Sequence, residues 1–282
     1  AAMMQIMETT TSTMWPKPGG DIVASAEMVD EHIIIAALMG SIVWNLFTWY
    51  VAMPSSSSHA LVGGIIGAVL VSTGSTGLNF IGIGKIVLSL IASPLLAIFS
   101  GFIVMTVLFL LFGRFAPSAL NGRFKKMQIL SAATMAFSHG SNDAQKSMGI
   151  ITLALLSGGY LSSFEVPDYV KFLCAAAMAC GTALGGWRII RTIGGKIFKL
   201  EPISGFAADL NSSIVIFSAT LLHLPVSTTH VVSGSIMGVG TAKRIRAVRW
   251  GVAQQMLVAW VLTIPCTAVM GALAYQIVLW IF

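Results

Sequence analysis

LPVSTTHVVSGS, residues 224–235, sets three hydroxyl side chains and a histidine behind a proline in an otherwise apolar chain. MPSSSSHALVGG, residues 53–64, has the same layout: proline, one spacer, three hydroxyl residues, histidine, then an apolar run with glycine. The two stretches lie 171 positions apart, counted from Pro54 to Pro225. One such cluster is compatible with chance, whereas two point to an internal duplication.

Composition places both stretches in a membrane protein. Hydrophobic residues make up 56% of the 282, charged residues only 9%, and mean hydropathy is +0.88; a soluble domain carries about a quarter charged residues. A chain of this length holds roughly eight to ten membrane-embedded segments of about 20 residues. The net charge of +6 does not imply nucleic acid, because the basic residues fall in short clusters between apolar runs, the pattern that sets topology. Cys174, Cys180 and Cys266 lie in apolar stretches, which argues against a disulfide scaffold or thiolate metal site and reads as small buried hydrophobes.

Along the chain, residues 1–31 are polar and read as an extracytoplasmic segment. Ile33–Ala52 has spanning length, Pro54–Gly74 holds the first hydroxyl cluster and a small-residue helix, and Ile86–Phe112 spans with tilt and a kink expected at Pro94. A polar stretch with Arg114, Arg123, Lys125 and Lys126 follows. Met127–Leu156 is apolar but interrupted by FSHGSNDAQK, residues 137–146, and a loop with Glu165 and Asp168 leads into a span over Tyr169–Trp187. A second basic cluster (Arg188, Arg191, Lys196, Lys199) precedes two apolar limbs over 203–240 joined at Pro225. A third (Lys243, Arg244, Arg246, Arg249) precedes a long terminal helix from Gly251.

With the three basic clusters on the cytoplasmic side, 127–187 crosses outward and returns, leaving Glu165 and Asp168 outside. Residues 203–240 then begin and end inside. The limb after Pro225 has only about 15 residues, short of the ~20 of a span, so it reads as a re-entrant hairpin. The first hydroxyl cluster enters from the opposite face. The expected fold is an all-α polytopic membrane protein, an inverted-repeat transporter with two re-entrant helical hairpins. It divides into a polar segment (1–31), the remainder of a first repeat (32–126) and a second repeat (127–282), together one membrane domain. A helix that starts inside the membrane presents unpaired N–H groups and partial positive charge, and hydroxyls at that start add donors. Together they make a site for a phosphate or sulfate oxyanion.

HGSNDAQK, residues 139–146, adds ionisable groups at membrane depth, where they are costly and therefore functional candidates. Asn142 and Asp143 offer oxygen ligands to a small cation, and Gly140 permits a backbone break that exposes carbonyls. Lys146, three residues on, shares a helical face with Asp143 and is placed to neutralise it or to approach the anion.

SHGSNDAQKSMG, PSSSSHALVGG and PVSTTH together resemble the inorganic phosphate transporter (Pit) family, and the HG-x-ND-x-QK form is similar to its bacterial low-affinity branch. The resemblance covers nearly the whole chain from Glu31. It implies a symporter, not an enzyme, that imports inorganic phosphate through the cell (inner) membrane, with a metal-phosphate complex as an alternative cargo and protons or sodium as the coupling ion. It implies no resident cofactor and leaves a homo-oligomer open. Ser56, Ser57, Ser58, Ser227, Thr228 and Thr229 would contact phosphate, and Asn142 and Asp143 would serve the coupling cation. His139, Lys146, Asp209, Asn211, His59 and His230 are secondary candidates. His59 and His230 read as hydrogen-bonding braces of the hairpins in preference to metal ligands, and His139 as a proton shuttle or a structural group. Sulfate is the competing substrate, because the same hairpin chemistry serves either tetrahedral anion. An intramembrane hydrolase is disfavoured, because Ser58–His59 and Ser138–His139 are sequence neighbours that point apart on a helix. Spacing also predicts that an acidic motif matching Asp143 falls upstream of Ala1, so a fragment lacking its first 40–80 residues is expected, an estimate of one or two spans.

Overall fold

A computed structural model describes residues 22–24, 28–114, 117–222, 224 and 226–281. Most of the 1–31 segment lies outside the described residues, as does Pro225. The described chain folds mainly into helices: α1 (Glu31–Tyr50), α2 (Ser57–Ser72), α3 (Phe80–Phe112), α4 (Pro117–Ser157), α5 (Asp168–Gly185), the short α6 (Trp187–Arg191) followed by a π-turn over Thr192–Lys196, α7 (Pro202–Leu221), α8 (Thr228–Lys243) and α9 (Trp250–Ile281). An isolated antiparallel bridge pairs Val23 with Leu78.

The helix starts follow from their capping residues. Asp30 accepts from the Ile33 N–H at 2.8 Å to open α1, and Asn79 accepts from the Gly82 N–H at 3.1 Å to open α3. Glu201 and Ser204 form a capping box around Pro202, whose missing N–H costs nothing at the first position of α7. Ser56 and Ser227 cap α2 and α8 identically, accepting from the His59 and His230 N–H groups at 3.2 and 3.3 Å.

Among the described residues, α1, α3 and α9 are long and apolar enough to cross a membrane, and α5 with the α6 turn, bent by 57°, makes a fourth if taken as one span. Their outward faces carry large exposed hydrophobics, such as Ile81, Leu95 and Leu110 on α3 and Val261, Leu273 and Trp280 on α9. This is a multi-pass membrane protein. By contrast α2 and α8 have 16 residues each, about 24 Å at 1.5 Å per residue, short of the ~30 Å hydrocarbon core.

Three expectations need correction. α4 runs as one helix of 41 residues straight through Gly140, so no backbone break exposes carbonyls there. Gly140 has open space where a side chain would be, and the polar groups of 137–146 find partners on other elements instead. Residues 117–126, read as a polar connection, are the first turns of that same helix. Cys180 is exposed, and Cys174 alone of the cysteines is buried.

The packing crosses over. α1 and α2 form a hairpin that nests on α9, while α8 nests on α3 and α7 on α4. Glycines make both contacts possible by letting backbones approach. A Cβ on Gly67 would overlap the Ala268 carbonyl, and one on Gly238 would overlap that of Ile98; on Gly63 and Gly234 it would lie 2.5 and 2.7 Å from the carbonyls of Ile264 and Pro94. The glycines correspond at the same 171-residue offset as the hydroxyl clusters, Gly63 with Gly234 and Gly67 with Gly238, as do Pro94 in α3 and Pro265 in α9, while the carbonyls the glycines meet lie one position off that offset. Pro94 has no N–H for the Leu90 carbonyl. That carbonyl instead accepts the Ser93 hydroxyl at 3.2 Å and a hydrogen bond from the His230 ring, which ties α8 to α3.

The two ends of the bundle differ in charge. Phe124, Ile197, Phe198 and Val248 share one buried cluster, which draws the three basic segments to one end, where Lys243 also pairs with Glu201 at 2.6 Å. At the opposite end Gly158 lies against the Glu31 carboxylate, and Val166 packs near Glu165 and Asp168 over α4 and α5.

Gly67→Leu and Gly238→Leu should each destabilise the detergent-solubilised protein by about 1–3 kcal/mol, because no neighbour except backbone can yield. Gly140→Ala should instead stabilise it by about 0.5–1 kcal/mol, as expected for an unobstructed helix interior. Thermal unfolding midpoints that fall alike for all three would refute the packing assigned to the glycines.

Candidate functional site

Helices α2 and α8 begin at the same place. The His59 and His230 rings, one turn into each helix, lie 4.5 Å apart between centroids, and His230 stacks on Trp260 of α9 at 4.0 Å. The positive ends of two helix dipoles therefore converge, and α4 presents Asp143 and Lys146 to the junction. Thr228 at the start of α8 donates to Asp143 Oδ2 at 3.0 Å. Lys146 Nζ donates to Asp143 Oδ1 at 2.8 Å, to Ser58 Oγ at 2.6 Å and to the Val226 carbonyl at 3.1 Å. His139 Nε2 lies 3.6 Å from Asp143 Oδ2, one helical turn back.

The ion pair is largely sealed, with side-chain exposures of 7% for Lys146 and 14% for Asp143. Placing two charges in low dielectric is tolerated because their remaining donors and acceptors are filled by the hairpin tips. Asn142, on the same turn of α4, donates to Thr220 Oγ1 of α7 at 3.1 Å, while its Oδ1 is buried without a partner among the described residues.

The expected anion-binding residues are thus brought together, though not equivalently. Ser58 and Thr228 touch the Lys146–Asp143 pair; Ser56 and Ser227 spend their oxygens on caps; Ser57 is exposed; and Thr229 is half-buried one residue after Thr228. Asp209 and Asn211 form separate contacts. Asp209 accepts the Ser131 hydroxyl at 3.2 Å, and Asn211 donates to the Ala97 carbonyl and Ser235, fastening α7 to α3 and α8. Neither shares a hydrogen bond with Asp143. The two histidine rings lie against each other and against Trp260, and His59 Nδ1 and His230 Nε2 are buried with no hydrogen-bond partner among the described residues.

Several contributors were not foreseen. Trp260, whose ring closes the histidine stack, sits in an apolar helix where nothing marks it out. The Val226 carbonyl is a backbone group, invisible to a reading of side chains. Gln145 is 2% exposed with neither amide atom partnered among the described residues; its place between Asn142 and Lys146 was the available signal. Removing one partner of a buried pair strands the other charge. Lys146→Met and Asp143→Asn should therefore each destabilise strongly, and the double variant should recover at least about 1 kcal/mol relative to additivity. Additive losses in thermal unfolding would show that the two groups are not coupled.

Comparison with known proteins agrees with this architecture. The phosphate transporter family profile matches residues 2–119 and 114–271. A protein of Bacillus subtilis named a probable low-affinity inorganic phosphate transporter is 49% identical over 251 residues, 89% of this chain and 75% of that protein. A Rhizobium meliloti protein of the same name is 47% identical over 249 residues, 88% of this chain and 75% of its own length. In fold, a solved structure described as the sodium-dependent phosphate transporter superposes with a TM-score of 0.84 at 23% identity, covering 100% of this chain and 90% of that one. With the profile covering nearly its whole length, the chain belongs to the phosphate transporter family.

Proposed function

We propose that this protein is a secondary active symporter that imports inorganic phosphate through the cell's inner membrane, driven by protons or sodium. The observation that carries the reading is the junction itself, where two capped helix starts face a carboxylate–ammonium pair. The N–H groups and hydroxyls there suit a tetrahedral oxyanion, with Ser57, Ser58, Thr228 and Thr229 as donors and Ser56 and Ser227 shaping the turns. Asn142 and Asp143 serve the coupling cation. Each ion then lowers the cost of placing the other at low dielectric. A divalent metal travelling with phosphate would enter as cargo.

In this reading α1–α2 and α7–α8 are hairpins of an inverted repeat that enter from opposite faces and meet near the midplane. The 16-residue lengths of α2 and α8 and the correspondences at a constant 171-residue offset support it. The shared basic end supports a cytoplasmic location for residues 114–126, 188–199 and 243–249. Domain bounds follow as a first repeat over 32–126 and a second over 127–282.

The test is labelled anion uptake into proteoliposomes, where phosphate should be taken up and sulfate should not compete. Thr228→Ala and Ser57→Ala each remove one donor without large packing volume, so they should weaken apparent phosphate affinity by roughly 10-fold, the value of a hydrogen bond to a charged group; unchanged affinity in both sinks the anion assignment. In the folded fraction of Asp143→Asn protein, gradient-driven accumulation should be abolished while most equilibrium phosphate binding per folded molecule remains. Loss of both in equal measure would make Asp143 structural or a substrate ligand.

A further inference from the structure

Helix α1 ends at Tyr50, and a helix end leaves its last four carbonyls without intrahelical donors. The turn that follows fills three of them: the Val51, Met53 and Ala52 N–H groups donate to the Phe47, Thr48 and Trp49 carbonyls. The fourth, at Tyr50, accepts from Arg188 Nη1 at 3.0 Å, which sets a cation at the negative end of a helix dipole. Two residues on, the Ala52 carbonyl accepts the Thr192 hydroxyl at 3.1 Å. In the other direction Trp49 Nε1 donates to the Gly185 carbonyl at 2.9 Å, and the Arg188 guanidinium lies 5.0 Å from the Trp49 ring centroid and 5.8 Å from that of Tyr50. Ala52 itself is held at φ 55°, a left-handed conformation that a non-glycine residue keeps only where its surroundings fix it.

The segment that grips this turn is hinged. α5 is fixed to α4 near its start, where Val170 and Cys174 pack with Ala144 and Met148, and it has no buried residue after Cys174. The chain then bends by 57° at Gly185–Gly186, and a Cβ on Gly186 would stand 2.8 Å from the Thr182 carbonyl, so the bend depends on glycine. Beyond α6, Ile197 and Phe198 anchor the chain in a buried cluster on which Ile193 also leans, and the irregular π-turn over Thr192–Lys196 lies at that end. Arg188 therefore rides on a short strap that can swing at its glycine pair. Its own grip is a side chain on a carbonyl at an exposed place, so solvent can replace it with little net loss.

We infer that the bend between α5 and α6 is a latch on the first hairpin, with Arg188 and Thr192 as positioning residues that hold the hairpin tip against α4 and release it in each transport cycle. The inference rests on the reading of the junction as the transport site and adds a moving part to it. Arg188 and Thr192 act through the turn at 50–52, which leads into Ser58 and its bond to Lys146. Thr48 and Ser55 join their hydroxyls across that turn at 2.8 Å, so a restraint on one side of it is carried to the other. Alternating access requires a hairpin tip to part from the site it closes, and a hinged strap bound by three hydrogen bonds is the element here that can let it go.

The experiment uses the full chain in proteoliposomes, with Cys174→Ala, Cys180→Ala and Cys266→Ala as background and Ala52→Cys with Thr192→Cys added. The contact between Thr192 and the Ala52 carbonyl puts these two positions within reach of a short, reducible bifunctional thiol reagent. Tying the latch shut should slow uptake of labelled phosphate at least about tenfold, leave equilibrium phosphate binding unchanged and be reversed by reduction. Uptake unaffected by the tie shows a strap that never releases and overturns the inference, as does binding lost in step with uptake. A second measurement needs no cross-link and decides if the cysteine protein is inactive before tying. Arg188→Ala should raise the apparent KM for phosphate by roughly 3- to 10-fold with the maximal rate per folded molecule retained, the worth of one hydrogen bond, and Arg188→Lys should recover part of the loss. An unchanged KM in folded Arg188→Ala protein overturns the positioning role. A wild type that takes up no phosphate sinks the transporter reading itself.

Discussion

Three segments that meet nowhere else in sequence are held at one nitrogen atom. Lys146 Nζ joins α4 to the start of α2 through Ser58 and to the approach of α8 through Val226, with Asp143 as its counter-charge. An ammonium sealed in such surroundings is stable only while every donor is filled, so the position of both hairpins relative to α4 is prescribed by the chemistry of one side chain. Gross stability comes from elsewhere, from the glycine-lined contacts of α2 on α9 and α8 on α3. The ion pair contributes specificity of arrangement, and the close packing contributes the binding energy that makes the arrangement tolerable.

The two hairpins are alike in backbone and unlike in side-chain use. Thr228 engages a carboxylate while Ser57, its counterpart at the 171-residue offset, is exposed. Gly40 of α1 lies against the backbone of Gly271, and its counterpart Asn211 of α7 reaches the Ala97 carbonyl and Ser235. A close backbone contact on one side is thus answered by hydrogen bonds on the other. Both solutions hold a helix pair together where apolar attraction between helices gives little advantage over lipid.

Much of this was legible in the sequence, because its signals were local. Proline followed by hydroxyls marked the starts of α2 and α8, since a cap depends on residues within one turn. Asp143 and Lys146 declared a shared face by their spacing of three. What the sequence did not disclose was pairing at long range: that α2 would lie on α9, that Trp260 would close the histidine stack, and that the Val226 carbonyl would accept from Lys146. Gly140 misled for a related reason. A glycine beside polar residues reads as a break when nothing is known of their partners. Here Thr220, Ser58 and Thr228 meet the side chains from outside, so the helix backbone has no cause to open.

The crossed nesting of the hairpins bears on how the molecule is assembled. Helix α2 is made before α9, to which its glycine face is complementary, and Tyr275 bonds Ser72 across 203 positions. A chain inserted from its N-terminus therefore carries the first hairpin without its mate until α9 has been made. α3 waits similarly for α8. Contacts of such sequence separation are slow to form and leave intermediates with unsatisfied surface, here backbone-exposing glycine stripes inside lipid. Capture of the hairpin tips by Lys146, encoded between the two hairpins, offers an intermediate hold: the first tip can be pinned to α4 before α8 or α9 arrives, so that the charge pair acts as a clasp during biogenesis as well as in the finished protein.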